Sequence, residues 1–139
     1  MGLYLAVFGS DSDDEIDGLE VGGYDDFHSF RTAIHARLEP GGWGSRYPIL
    51  MNHEDASGIW APEDAARLEG ELLEIRDAFR RLPAAAAPDG WQRDVAASLR
   101  LEPVTLHESF YDIDGRPLLD RLIELAQLAQ RVRQPIWFQ

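Results

Sequence analysis

The sequence predicts an α+β fold, or a small α/β one, as a single domain over residues 1–139, with a sheet of about three to five strands packed by about four helices. Three observations predict it. Short apolar, aromatic-rich runs stand near both ends, Leu3 to Phe8 and Ile136 to Phe138, and such runs read as strands. Between them lie stretches whose apolar residues recur every three or four positions, the period of a helix with one buried face. Finally, 139 residues without a cysteine are enough to bury a core that needs no disulfides.

Taken in order, Leu3 to Phe8 shows no polar alternation and is expected inside the sheet. Gly9 to Gly18 reads as a polar, acidic loop, and Leu19 to Val21 as a short returning strand ended by Gly22-Gly23. Asp25 or Asp26 can cap a helix to about Leu38, with Phe27, Phe30, Ile34 and Leu38 on one face. Pro40-Gly41-Gly42 stops it. Tyr47 to Met51 reads as a second strand beginning around Pro48, where a missing N–H is tolerated. Asn52 to Ala61 is expected to be irregular. Pro62, followed by Glu63 and Asp64, suits the start of a helix to about Leu82 that buries Leu68, Leu72, Ile75, Phe79 and Leu82. After a short linker, Trp91 to Leu101 makes another short helix before Pro103. Asp114-Gly115 is a turn, and Pro117 opens a last helix to about Val132 with Leu118, Leu122, Leu125, Ala129 and Val132 inward.

The charge excludes whole classes of function. Thirteen basic residues, every one arginine, face 25 acidic ones, for a net charge of −12. Such a balance argues against a nucleic-acid partner, which requires a basic surface. The lack of cysteine rules out a thiolate zinc site, an iron–sulfur cluster and a cysteine nucleophile. Leu3 to Phe8 is too short for a signal peptide, and no apolar run approaches the roughly 20 residues that span a bilayer. The expected address is the cytoplasm, with no membrane partner.

The most unusual feature is the acidic N-terminal region. Asp11, Asp13, Asp14, Glu15, Asp17, Glu20, Asp25 and Asp26 precede the first arginine, Arg31. Asp13, Glu15, Asp17 and Gly18 match the opening spacing of a calcium loop, but Tyr24 stands where the closing glutamate belongs and no helix comes before it. A solvated loop is the plain reading. The sharper one is an acidic face that meets a basic protein, because clustered charge steers association.

Other candidates are thinner. His28 and His35 are seven apart, whereas metal-binding pairs on a helix sit three or four apart; His53 and His107 are isolated. All four are expected at the surface or half-buried, with no metal and no cofactor. Glu63 and Asp64 suit a helix start, and Asp112 and Asp114 a turn. Gly41-Gly42-Trp43-Gly44 lacks the Gly-Lys-Ser/Thr of a phosphate loop and reads as a turn. His53-Glu54-Asp55 has no easy structural account, and with Arg46 and Trp60 it could form a small enzymatic or metal-binding site. Trp91 and Trp137 are expected in the core. Trp43 and Trp60 flank the Tyr47–Met51 run, where an exposed tryptophan beside Arg46 would suit a protein contact.

Several stretches carry a resemblance. They are Met1-Gly2-Leu3-Tyr4-Leu5, Val21-Gly22-Gly23-Tyr24 with Phe27, and Gly44-Ser45-Arg46-Tyr47-Pro48. His53 with Asp55, Gly58 and Trp60 follow, then Glu108-Ser109-Phe110-Tyr111-Asp112-Ile113-Asp114-Gly115 and the closing Pro135-Ile136-Trp137-Phe138-Gln139. Together, across nearly the whole chain and with no single stringent motif, they resemble the immunity proteins of bacterial polymorphic toxin systems of the immunity protein 70 type. The resemblance implies a cognate toxin domain as partner, bound and neutralised without catalysis, and it implies no catalytic residues. The expected partner-binding residues are Asp11, Asp13, Asp14, Glu15, Asp17, Glu20, Asp25, Asp26, Arg46 and Trp60. Whether the chain forms a homodimer is left open. The rival readings are a small cytoplasmic enzyme or metal-binding protein with a site near Arg46, His53, Glu54 and Asp55, and an adaptor or scaffold.

Overall fold

The computed structural model describes residues 2–10, 14–54, 57–85 and 90–139. Strand β1 (Gly2–Phe8) runs antiparallel to β2 (Glu15–Gly23), and helix α1 (Tyr24–Leu38) follows directly. A one-turn helix α2 (Pro48–Met51) and a two-residue strand β3 (Ile59–Trp60) lead through a 3-10 turn (Pro62–Asp64) into α3 (Ala65–Phe79). Helices α4 (Trp91–Leu99), α5 (Leu106–Ser109) and α6 (Leu118–Val132) precede β4 (Ile136–Phe138). The α+β class is as the sequence predicts, and the sheet order is β2-β1-β4-β3, all antiparallel.

β1 is an inner strand because both of its edges are paired, with β2 and with β4. Leu3, Leu5 and Val7 point toward the helices and are fully buried with Leu19, Val21, Ile136 and Phe138. Two register shifts, between Leu3 and Tyr4 and between Val7 and Phe8, give β2 one extra residue each time. These bulges preserve the pairing of apolar faces while bending the strand. Helices α1 and α6 pack on the sheet, and α3 packs against α6. Phe27, Phe30 and Ile34 of α1 and Leu68, Leu72, Ile75 and Phe79 of α3 are fully buried, the faces that the spacing predicts. At the start of α1 the Asp26 carboxylate accepts the N–H of Gly23 at 2.6 Å. Among the described residues, no helix is long and apolar enough to cross a membrane.

Three local expectations are corrected. Tyr47 to Met51 is not a strand: Pro48 opens a helical turn, and Glu71 on α3 accepts the N–H groups of Ile49 at 3.1 Å and Leu50 at 2.9 Å. Those are donors that a one-turn helix leaves without an intrahelical partner. Half-burial pushes the Glu71 carboxyl above its ordinary value, against the pull of those two bonds. Ile59 and Trp60 are a strand, paired with β4, in a stretch expected to be irregular. The loop after β1 is also shorter than expected, since β2 begins at Glu15 rather than Leu19. Gly42 and Gly44, with φ of +118° and +76°, make the Gly41–Gly44 stretch the turn it was expected to be.

His107 is buried rather than at the surface or half-buried. Its Nε2 donates to Asp120 at 3.0 Å, and Arg76 donates to the same oxygen at 3.1 Å. Burial pushes the Asp120 carboxyl up, but the bonds and charges of His107 and Arg76 outweigh it and hold the carboxyl below its ordinary range. A depressed carboxyl stabilises the fold above its unfolded-state pKa, and that contribution is lost as pH falls through the folded value. Asp120→Asn is therefore expected to lower the urea midpoint at neutral pH and to flatten the decline of stability below about pH 4. A variant curve parallel to wild type through that range would contradict the assignment.

Candidate protein-binding face

The acidic residues of the N-terminal region divide into two groups. Asp11 and Asp13 lie outside the described residues. Asp14, Glu15 and Glu20 are exposed on or beside β2, and Asp25 is exposed in the first turn of α1. Glu15 accepts the hydroxyl of Tyr4 at 2.8 Å. The Tyr4 phenol is pushed up to about 12, first by burial, then by its bond to Glu15 and the charges of Glu15 and Asp17.

Asp17 and Asp26 are committed to the fold. The bulge turns Ile16 and Asp17 toward α6, where they share a cleft with Glu124, Gln127 and Leu128. Asp17 receives Arg121 through both terminal nitrogens, at 3.2 and 3.3 Å, and the same arginine donates to the Gly18 carbonyl at 2.7 Å. The positions that matched a calcium loop, Glu15, Asp17 and Gly18, are thus strand residues, one of them held by an arginine. Asp26 accepts from Trp91 Nε1 at 3.1 Å and from the Gln92 amide as well as from Gly23. It ties the start of α1 to α4, a helix with no buried residue of its own. Among the described residues, no group of three or more His, Asp or Glu side chains is arranged to hold a metal ion.

The residues of the enzymatic alternative have structural occupations. Arg46 ion-pairs with Glu74 of α3 and lies over the Tyr47 ring. His53 stacks on Phe138 with ring centroids 3.9 Å apart, and its ring nitrogens face the carbonyls of Glu54 at 2.7 Å and Ile59 at 2.8 Å. Trp60 is only 3% exposed, packs edge-on against Phe138 and donates its indole N–H to Ile49. Glu54 is exposed and bonded to Ser57, and Asp55 lies outside the described residues. Arg46 therefore turns to α3 while His53 and Trp60 finish the edge of the core. Among the loop tryptophans it is Trp43 that is exposed, resting against His28 and His35 of α1.

One feature escaped the sequence reasoning. The sheet face turned away from α1 and α6 carries Tyr4, Ala6 and Phe8 of β1, Trp137 of β4 and Ile59 of β3. The register places Ala6 against Trp137, Trp137 against Ile59, and Glu20 against Tyr4. Trp137, expected in the core, is 44% exposed, and Ile59 is 37% exposed. The available signal was alternation: Ile136 and Phe138 bracket Trp137, so a strand that buries them turns the tryptophan outward.

No curated protein and no solved structure matches this chain. The model of one family, Immunity protein 70, matches residues 4–138. With nearly its whole length matched, the chain belongs to the Immunity protein 70 family.

Proposed function

We propose that this chain protects its host cell by binding a cognate toxin domain and blocking it without catalysis. Family membership supports a toxin as the partner. The observation that carries the binding reading is the edge strand β2, where Glu15 and Glu20 stand exposed in a chain of net charge −12. Exposed carboxylates on a regular strand attract a basic partner and raise its association rate. The proposed contact includes Asp14, Glu15, Glu20 and Asp25, with Asp17 and Asp26 holding the strand and helix in place. The catalytic alternative has less support, since His53 and Trp60 serve the core edge and Arg46 serves α3.

Growth rescue tests this reading. The cognate toxin domain is expressed in a sensitive host with and without the protein. Rescue is expected, together with a complex that survives a sizing column. Rescue without a complex would instead make the protein an enzyme acting on the toxin or its target, and absence of rescue would remove the immunity role.

A further inference from the structure

We infer that the sheet face turned away from α1 and α6 is the docking surface, and that it takes a protein surface apolar at its centre and basic along one rim. This rests on the immunity reading and gives it a place. An antiparallel sheet with helices on one side normally presents polar residues on the other. Here the outward positions of three strands are Gly2, Tyr4, Ala6, Phe8, Trp137 and Ile59, none of them charged: Trp137 and Ile59 are exposed, Tyr4 and Phe8 half-buried, and Ala6 buried between them. Exposed apolar residues gathered on one face mark interaction sites more often than ordinary surface. Tyrosine and tryptophan are the side chains that dominate such contacts.

The face is also preorganised. Tyr4 lies across Gly18 so closely that a Cβ there would sit 2.3 Å from its hydroxyl, and Glu15 holds that hydroxyl. Trp137 is seated on an inner strand between β1 and β3. Little side-chain freedom would be lost when a partner covers these rings, which favours tight binding.

Charge selects the occupant. The four strands contain no basic residue, and the charges on the outward side are Glu15 and Glu20 on β2. A partner with arginine or lysine opposite that rim complements it. A second copy of this chain, itself at −12, is the poorer match.

The test titrates the cognate toxin domain with wild type, with Trp137→Arg, with Ile59→Glu, and with Glu15→Gln/Glu20→Gln. Circular dichroism and sedimentation are recorded for each. Trp137 and Ile59 are exposed, so both variants should fold, and each is expected to weaken binding about 30-fold or more, mainly through faster dissociation. The double glutamine variant should slow association by about three- to tenfold and reduce its salt dependence. If wild type binds and folded Trp137→Arg and Ile59→Glu bind within about twofold of it, docking on this face is wrong while the immunity reading stands. If wild type does not bind, both fall. A wild-type dimer that Trp137→Arg dissociates, with toxin binding unchanged, would assign the face to a second copy and overturn the proposal.

Discussion

Replacing Arg121 by methionine is expected to destabilise the protein by about 3 kcal/mol, read as a lower urea midpoint with an unchanged slope. The guanidinium is nearly buried between α6 and β2. It meets Asp17, Glu124 at 3.1 Å and Asp112 at 3.6 Å, and it donates to the Gly18 carbonyl. The three carboxylates do not weigh equally. Asp17 and Glu124 are more than a third exposed and can turn to water, so their pairing with arginine counts for little. Asp112 is different, with its side chain 3% exposed. It keeps the N–H groups of Asp114 and Arg116, at 2.9 and 3.0 Å, but without Arg121 it becomes a buried charge with no counter-charge. That places the cost at the lower end of the roughly 3–5 kcal/mol typical of a broken buried pair. Asp112→Asn in the same background should recover part of the loss, since the amide carbonyl still caps the turn and the charge is gone. A loss below about 1 kcal/mol for Arg121→Met would show that the cluster behaves as a surface network.

Glu39→Ala is expected to cost a similar amount, about 3 kcal/mol or more, through a different mechanism. Glu39 is 1% exposed at the end of α1. One carboxylate oxygen accepts the N–H of Gly44 at 3.0 Å, and the other accepts those of Arg46 at 3.1 Å and Tyr47 at 3.0 Å. In the chain reversal between α1 and α2, Gly42 and Ser45 donate to the backbone carbonyls of Glu39 and Gly42, and the Glu39 side chain supplies the acceptors for Gly44, Arg46 and Tyr47. Alanine leaves buried donors unpaired, at about 1–3 kcal/mol for each that water cannot reach. Glu39→Gln keeps one acceptor oxygen and turns a donor toward the remaining N–H groups, so an intermediate loss is expected. Trp43 reports on the same loop through its bond to the Met51 carbonyl at 2.8 Å, and its fluorescence should shift in both variants. Alanine and glutamine variants as stable as wild type would mean that the loop holds itself.

What could be read from the sequence was whatever one segment decides alone. The stripes of α1, α3 and α6 appear in the spacing of Phe27, Phe30 and Ile34, of Leu68, Leu72, Ile75 and Phe79, and of Leu118, Leu122 and Leu125, because a helix buries one face of itself. Tyr47–Met51 was misread because its state is set from outside, by Glu71 more than twenty residues away. Trp60 is buried for the same kind of reason, because Phe138 and Ile49 lie beside it, whereas Trp137 is exposed because β4 alternates, burying Ile136 and Phe138 and turning the tryptophan outward. The acidic region was visible as composition, but its division was not. Only the bulge at Ile16 separates Glu15 on the outward face from Asp17 under Arg121. The outward face itself was hidden because β1 is apolar on both sides, a pattern that reads as a strand buried on both.

Neutralisation by occupancy is tested by titrating purified protein into the purified cognate toxin domain. Heat of binding and the toxin's own activity would be followed in the same samples. Saturable binding is expected, with toxin activity falling in proportion to the fraction bound and full recovery when the complex is dissociated. Binding that leaves the toxin fully active, or inactivation that persists after the protein has been removed, would contradict neutralisation by occupancy.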